Sequence, residues 1–177
     1  MGEVRPHYPV LLILAAFSRH DAALDWAVQQ ATEAWGPLAL ASERWPFSDT
    51  NYYERSMGAG LRKQLLAFAR LVDPARLVEC KLETNRWEEA YRTAQQHAEP
   101  RPLNLDPGYL THAKLVLATT KDRDHRVYLD RGIYAEVTLY YQRGGSWQGR
   151  EWTYPDYRRP EYHDFFTRCR QYLRRSQ

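Results

Sequence analysis

Val10-Leu-Leu-Ile-Leu-Ala-Ala-Phe17 is an unbroken apolar run held between Pro9 and Ser18. It shows no polar alternation, so an extended segment here must be buried on both faces, which is the pattern of a central strand. The run is far shorter than the roughly 20 apolar residues of a membrane span. Its flanks, with Glu3, Pro6 and Pro9 and no small-x-small cleavage site, read as a first core strand and not as a signal peptide. Ser18 with Asp21 resembles a capping box and predicts a helix to Trp35, apolar along Leu24, Ala27, Val28, Ala31 and Trp35 and stopped by Gly36-Pro37.

Outward from this strand-helix unit, alternation over Leu38 to Phe47 predicts a second strand, and Ser48 to Gly60 an ordered loop rich in hydroxyls and amides. Leu61 to Val72 fits either period: Leu61, Leu65, Phe68 and Val72 suit a helix, whereas Leu66 and Phe68 against Arg62 and Gln64 suit a strand. The preceding glycines, read as a reversal, favour the strand. Asp73-Pro74 starts a helical turn, Leu82 to Asn85 connects, and Asn85-x-x-Glu88 caps a helix to about His97. That helix carries Trp87, Ala90, Tyr91 and Ala94 inward and Arg86, Glu89, Arg92 and Gln96 outward. With Arg101 to Leu105 as fourth strand, the order strand, helix, strand, strand, helix, strand is ferredoxin-like.

Asp106-Pro107 repeats the cap signature and predicts a helix from Pro107 to about Thr120 with Leu110, Ala113, Val116 and Leu117 in the core; a strand over Leu115 to Thr119 is the alternative. Val127 and Leu129, then Ile133, Ala135, Val137 and Leu139, alternate with Arg126, Tyr128, Tyr134, Glu136, Thr138 and Tyr140 about an Asp130-Arg-Gly132 turn, which is a hairpin with one core face. Gly144-Gly145 turns into a strand from Ser146 to Tyr154, and Pro160 opens a last helix with Tyr162, Phe165, Phe166, Cys169, Tyr172 and Leu173 on one stripe. The expected fold is α+β: a single domain over residues 1–177, with a mixed, largely antiparallel sheet. Its N-terminal half is ferredoxin-like, helices pack on one face, and a C-terminal hairpin and helix complete it.

Lys and Arg number 25 against 22 Asp and Glu, which is no electrostatic footprint for DNA. Two cysteines, Cys80 and Cys169, without CxxC or a spaced histidine, suggest neither disulfides nor zinc and predict a reducing, cytoplasmic setting. His7, His20, His97, His112 and His163 show no metal spacing, so no metal is expected. No GxxxxGK[ST], GxSxG or strand-borne GxGxxG occurs, which removes phosphate-loop, hydrolase-elbow and dinucleotide readings and leaves no cofactor to expect.

Chemistry-bearing residues concentrate opposite the core face: Arg126, Tyr128, Glu136 and Thr138, joined by Lys81, Asn104, Lys121 and His125 from other segments. Covered by the Asp49 to Met57 loop and its tyrosines, that face would form a cavity of cations, one carboxylate and hydroxyls suited to a phosphorylated or carboxylated ligand. Left uncovered, it would be a solvated face with weak surface pairs. Glu136 is expected to be buried and paired with Arg126 or Lys81, because a carboxylate among aromatics is costly alone.

The segments Asp49-Thr-Asn-Tyr-Tyr-Glu54 with Met57-Gly58, Lys81 to Asn85, Asn104-Leu-Asp-Pro-Gly-Tyr109, Ala118-Thr-Thr-Lys121, His125-Arg-Val-Tyr-Leu129, Gly132 to Leu139 and Trp152-Thr-Tyr-Pro-Asp-Tyr157 together resemble an uncharacterised bacterial family, domain of unknown function 4416. The resemblance spans nearly the whole chain. Members are sometimes labelled GTP-binding proteins, a label that would need the phosphate loop missing here. The resemblance supports a single cytoplasmic domain and implies no catalytic residues. Three functional expectations follow from the residues: a binding domain for a small anionic, phosphorylated or nucleotide-like ligand; an acid-base enzyme using Glu136 with His125 or Asp106; and an RNA-associated or protein-interaction module using Tyr128, Tyr134 and Tyr140 as a stacking face.

Overall fold

The apolar run is Leu11–Ser18 (β1) in a computed structural model that describes residues 2–95 and 97–177, and every residue of that strand is buried. It pairs antiparallel with Arg62–Phe68 (β4) on one side and Asn104–Leu110 (β5) on the other. Leu38–Ala41 (β2) and Trp45–Pro46 (β3) pair with β4. The order β2-β4-β1-β5, all antiparallel, is that of a ferredoxin-like unit. Beyond β5 the sheet continues through Lys114–Thr119 (β6), Ile133–Gln142 (β8) and the edge strand Val127–Asp130 (β7), with Ser146–Gly149 (β9) also on β8, to nine strands.

Leu12, Leu14 and Ala16 pack against Asp21–Trp35 (α1) and Leu77–Ala94 (α3), whereas Leu11, Ile13 and Ala15 meet Pro160–Ser176 (α4) on the opposite face. Each fully buried leucine contributes about 1.5–3 kcal/mol. A strand that buries both rows therefore carries a large share of the core. A four-residue helix, Glu54–Met57 (α2), lies inside the loop expected between β3 and β4. No helix among the described residues is long and apolar enough to cross a membrane.

Several local expectations differ from the fold. Ser18 closes β1 instead of capping α1; its hydroxyl donates to Pro102 O and accepts from His20 N. Asp73 caps a 3-10 turn as expected, accepting from Ala75 N, but the chain then runs straight into α3, so Lys81 and Asn85 are mid-helix and no connector intervenes. Gln96 lies outside the described residues.

Asp106-Pro107 does not open a helix: it sits within β5, and β6 replaces the rest of the expected helix. The strand alternative for Leu115 to Thr119 is the one realised. β5 pairs with β6 only from Gly108 onward, so Pro107 stands where one side of its strand is free, a place that tolerates proline. The fourth strand is thereby shifted from Arg101–Leu105 to Asn104–Leu110. The strand after Gly144-Gly145 ends at Gly149 and not at Tyr154, and the 3-10 turn Pro155–Arg158 follows.

The hairpin of β7 and β8 forms as read, with Arg131 at φ 48° and Gly132 at φ 76° in the turn. One detail breaks its alternation. Leu115 pairs with Leu139 but Val116 pairs with Val137, which leaves Thr138 as an extra residue, a β-bulge. Ile133, Ala135 and Val137 therefore face α3, while Leu139 joins the α4 side. The bulge also puts Tyr140 on the face opposite Tyr134, so the expected three-tyrosine face does not exist.

Candidate functional site

β5 and β6 part below Gly108, and a cavity of about 130 Å³ occupies the opening. The strands close at Gly108 because only glycine fits: a Cβ there would lie 2.4 Å from Val116 O. Lys81 on α3 extends its buried amine to Leu105 O at 2.9 Å and Asp106 Oδ1 at 3.0 Å. Asn104 Nδ2 donates to Asp106 Oδ2 at 2.7 Å, so both carboxylate oxygens are held. Burial opposes ionisation of Asp106, yet Lys81 and Lys63 bring its carboxyl below the usual carboxylate range.

Glu136, from β8, is 4% exposed and accepts from Arg126 Nε at 2.8 Å. Arg126 further donates to Lys121 O at 3.0 Å and Tyr154 OH at 3.2 Å. His125 Nε2 stands 3.4 Å from Glu136 Oε2, and its ring stacks on Trp152 with centroids 5.1 Å apart. The bulge residue Thr138 faces Glu136 Oε1 at 3.3 Å, and its carbonyl accepts from Thr153 Oγ1 at 2.6 Å. The bulge thus ties Glu136 to the segment that carries Tyr154 and Asp156.

A third buried pair completes the wall. Lys63 Nζ donates to Asp156 Oδ2 at 2.6 Å, with the Tyr157 and Phe47 ring centroids 4.4 and 4.8 Å away. Burial, reinforced by the Asp156 charge, keeps the Tyr157 phenol well above its ordinary range, so it remains a neutral donor. The loop expected as a cover does lie here: Thr50 and Tyr53 line the cavity, Asp49 is pinned by Arg159 at 2.7 Å, and Lys121 Nζ donates to Tyr52 OH at 3.1 Å.

Of the residues singled out from sequence, Lys81, Asn104, Asp106, Lys121, Arg126 and Glu136 meet at this cavity. Thr138 and His125 stand directly behind Glu136. Tyr128, on the edge strand, does not join them; it pairs with Tyr134, one step beyond Glu136, and is 56% exposed. Lys63, Asp156, Tyr157 and Arg101 line the cavity without having been anticipated. A signal existed for Lys63: it shares the strand parity of Leu61, Leu65 and Ala67, and a lysine on an apolar row implies a buried partner. Nothing in the sequence placed Asp156 opposite it, 93 residues on.

Residues 8–172 match the family described as Domain of unknown function (DUF4416), and the chain belongs to it. No curated protein and no solved structure matches the chain.

Proposed function

We propose that this member of the DUF4416 family binds a small anionic ligand in the cavity between β5 and β6 and performs no chemistry on it. One observation carries the reading. Lys63, Lys81, Arg101 and Arg126 each have a carboxylate of their own, from Asp156, Asp106, Glu88 and Glu136, whereas Lys121 has only the Tyr52 hydroxyl among the described residues. The wall therefore carries one uncompensated cation amid hydroxyl and amide donors, which favours an anion of matching charge. About 130 Å³ is small beside the roughly 300–1,000 Å³ of sites for drug-sized molecules, so a phosphate or a short carboxylic acid fits better than a whole nucleotide.

The experiment is a thermal-shift panel of inorganic phosphate, phosphorylated metabolites, di- and tricarboxylates and nucleotides. A ligand at 100 times its Kd stabilises by about 2.7 kcal/mol, which raises Tm by roughly 5–11 °C for a chain this size. Lys121→Met should remove the shift. No shift with any anion overturns the proposal.

A second reading, acid-base chemistry by Glu136 with Asp106 or His125, draws on Asp106 and Glu136 opening on one cavity with His125 3.4 Å from Glu136. Product formation from an anion that shifts the melting point would favour it; recovery of that anion unchanged would exclude it. The RNA-associated reading is weaker, with Tyr134 and Tyr140 on opposite faces. A cytoplasmic location belongs to the same proposal and is supported by Cys80 and Cys169 both being free and buried.

A further inference from the structure

Outside the lining of the cavity, a second group of ligating side chains converges. His20, immediately before α1, and His97 and Glu99, between α3 and β5, each offer one ligand atom, all within 4.8 Å of one another, and all three residues are half-buried. We infer that His20, His97 and Glu99 form a three-ligand site for a divalent transition ion such as zinc, with a further position open to water. Two imidazole nitrogens and a carboxylate oxygen are a donor set that zinc accepts, and three protein ligands leave the tetrahedron incomplete.

The present spacing is close to what the ion requires. Ligand bonds of about 2.0–2.1 Å at tetrahedral angles put neighbouring ligand atoms about 3.4 Å apart, and His20 Nε2 already lies 3.0 Å from Glu99 Oε2. Side chains around the group hold the donors in place. Arg19 Nη1 takes Glu99 Oε1 at 2.8 Å and leaves Oε2 for the ion. Tyr91 OH, 3.2 Å from His97 Nε2, fixes the rotation of that ring, in the manner of the outer partners that orient ligating histidines. The two imidazole rings stack with centroids 4.0 Å apart, which holds them side by side at the group.

The ion would also have a structural consequence. Glu99 lies two residues before Arg101, whose N–H donates to Ser56 O in the cover loop, and Arg19 runs against Gly58, where a Cβ would lie 2.7 Å from Nη1. Closing His20 onto His97 and Glu99 would fasten the segment after α3 to the start of α1 beside that loop. The inference does not depend on what the cavity binds.

The test is calorimetric titration of the chelator-treated full chain with zinc, together with cobalt(II) absorption as a report on ligand type. One equivalent should bind, raise Tm, and give a cobalt spectrum with imidazole and oxygen donors. His97→Ala and Glu99→Gln should each weaken binding by at least about tenfold while leaving the zinc-free melting temperature close to that of the parent; His7→Ala should leave binding unchanged. If one ligand variant fails to fold, the other still reads the site. Absence of zinc binding, or binding indifferent to both ligand substitutions, overturns the inference.

Discussion

Glu136→Ala removes one member of a pair in which both side chains are almost wholly enclosed, 3% exposed for Glu136 and 5% for Arg126. The guanidinium left behind keeps Lys121 O and Tyr154 OH but loses its only charged partner among the described residues. Breaking a buried pair costs about 3–5 kcal/mol, and the two retained hydrogen bonds place this case near the lower end, about 3 kcal/mol. With a urea m-value of about 2 kcal/mol/M, the midpoint should fall by roughly 1.5 M. The comparison is Glu89→Ala, which breaks a pair with Arg92 whose side chains are 61% and 51% exposed; exposed pairs contribute about 0.2–1 kcal/mol, so its midpoint should move by less than about 0.5 M. The assay is equilibrium urea denaturation of parent and both variants. If Glu136→Ala shifts the midpoint no more than Glu89→Ala does, the pair is not enclosed, and the cavity argument fails with it.

Lys63→Ala strands Asp156 in the same way and should cost about 3–5 kcal/mol, with Lys63→Met/Asp156→Leu recovering a substantial part of that in the same denaturation assay. Asp106 has a folded-state pKa below its ordinary 3.8, so it contributes stability that is present above that value and lost as pH falls through the lower folded one; the midpoint gap between parent and Asp106→Asn should be wide at pH 7 and begin to shrink only as pH falls below 3.8, and a gap constant with pH would refute the assignment. Gly108→Ala drives a methyl group against Val116 O and should cost about 1–3 kcal/mol or more; a melting temperature equal to the parent's would mean the strands can part there cheaply.

The sequence made β1, α1, the ferredoxin-like order and the β7–β8 hairpin legible because each rests on a local period or turn. Asp106-Pro107 misled because the same dipeptide caps a helix or ends a free strand side, and only the divergence of β5 from β6 selects between them. Asn85-x-x-Glu88 mimics a cap within a helix already running, so Leu82 to Asn85 reads as a connector although it lies inside α3. Glu136 was legible as needing a cation, Arg126 or Lys81, since a carboxylate on a covered strand is costly alone; its partner is Arg126. Asp156 against Lys63, and His20 against His97 and Glu99, were not legible: each group joins segments far apart in sequence, and no period links them.

The bulge at Thr138 bears on how this chain can tolerate changes in length. Ile133–Val137 and Leu139–Gln142 are each in register with their own partners, and Thr138 belongs to neither run. Deleting that one residue would leave both runs paired and each core side chain on its present face, whereas deleting a neighbour such as Ala135 would turn part of the strand over. What the shortened chain would lose is the hydroxyl against Glu136 and the carbonyl that anchors Thr153. Position 138 is thus where the strand can shed a residue and stay folded while surrendering its grip on the cavity wall, so loss of folding and loss of the site can be separated there by a single-codon deletion.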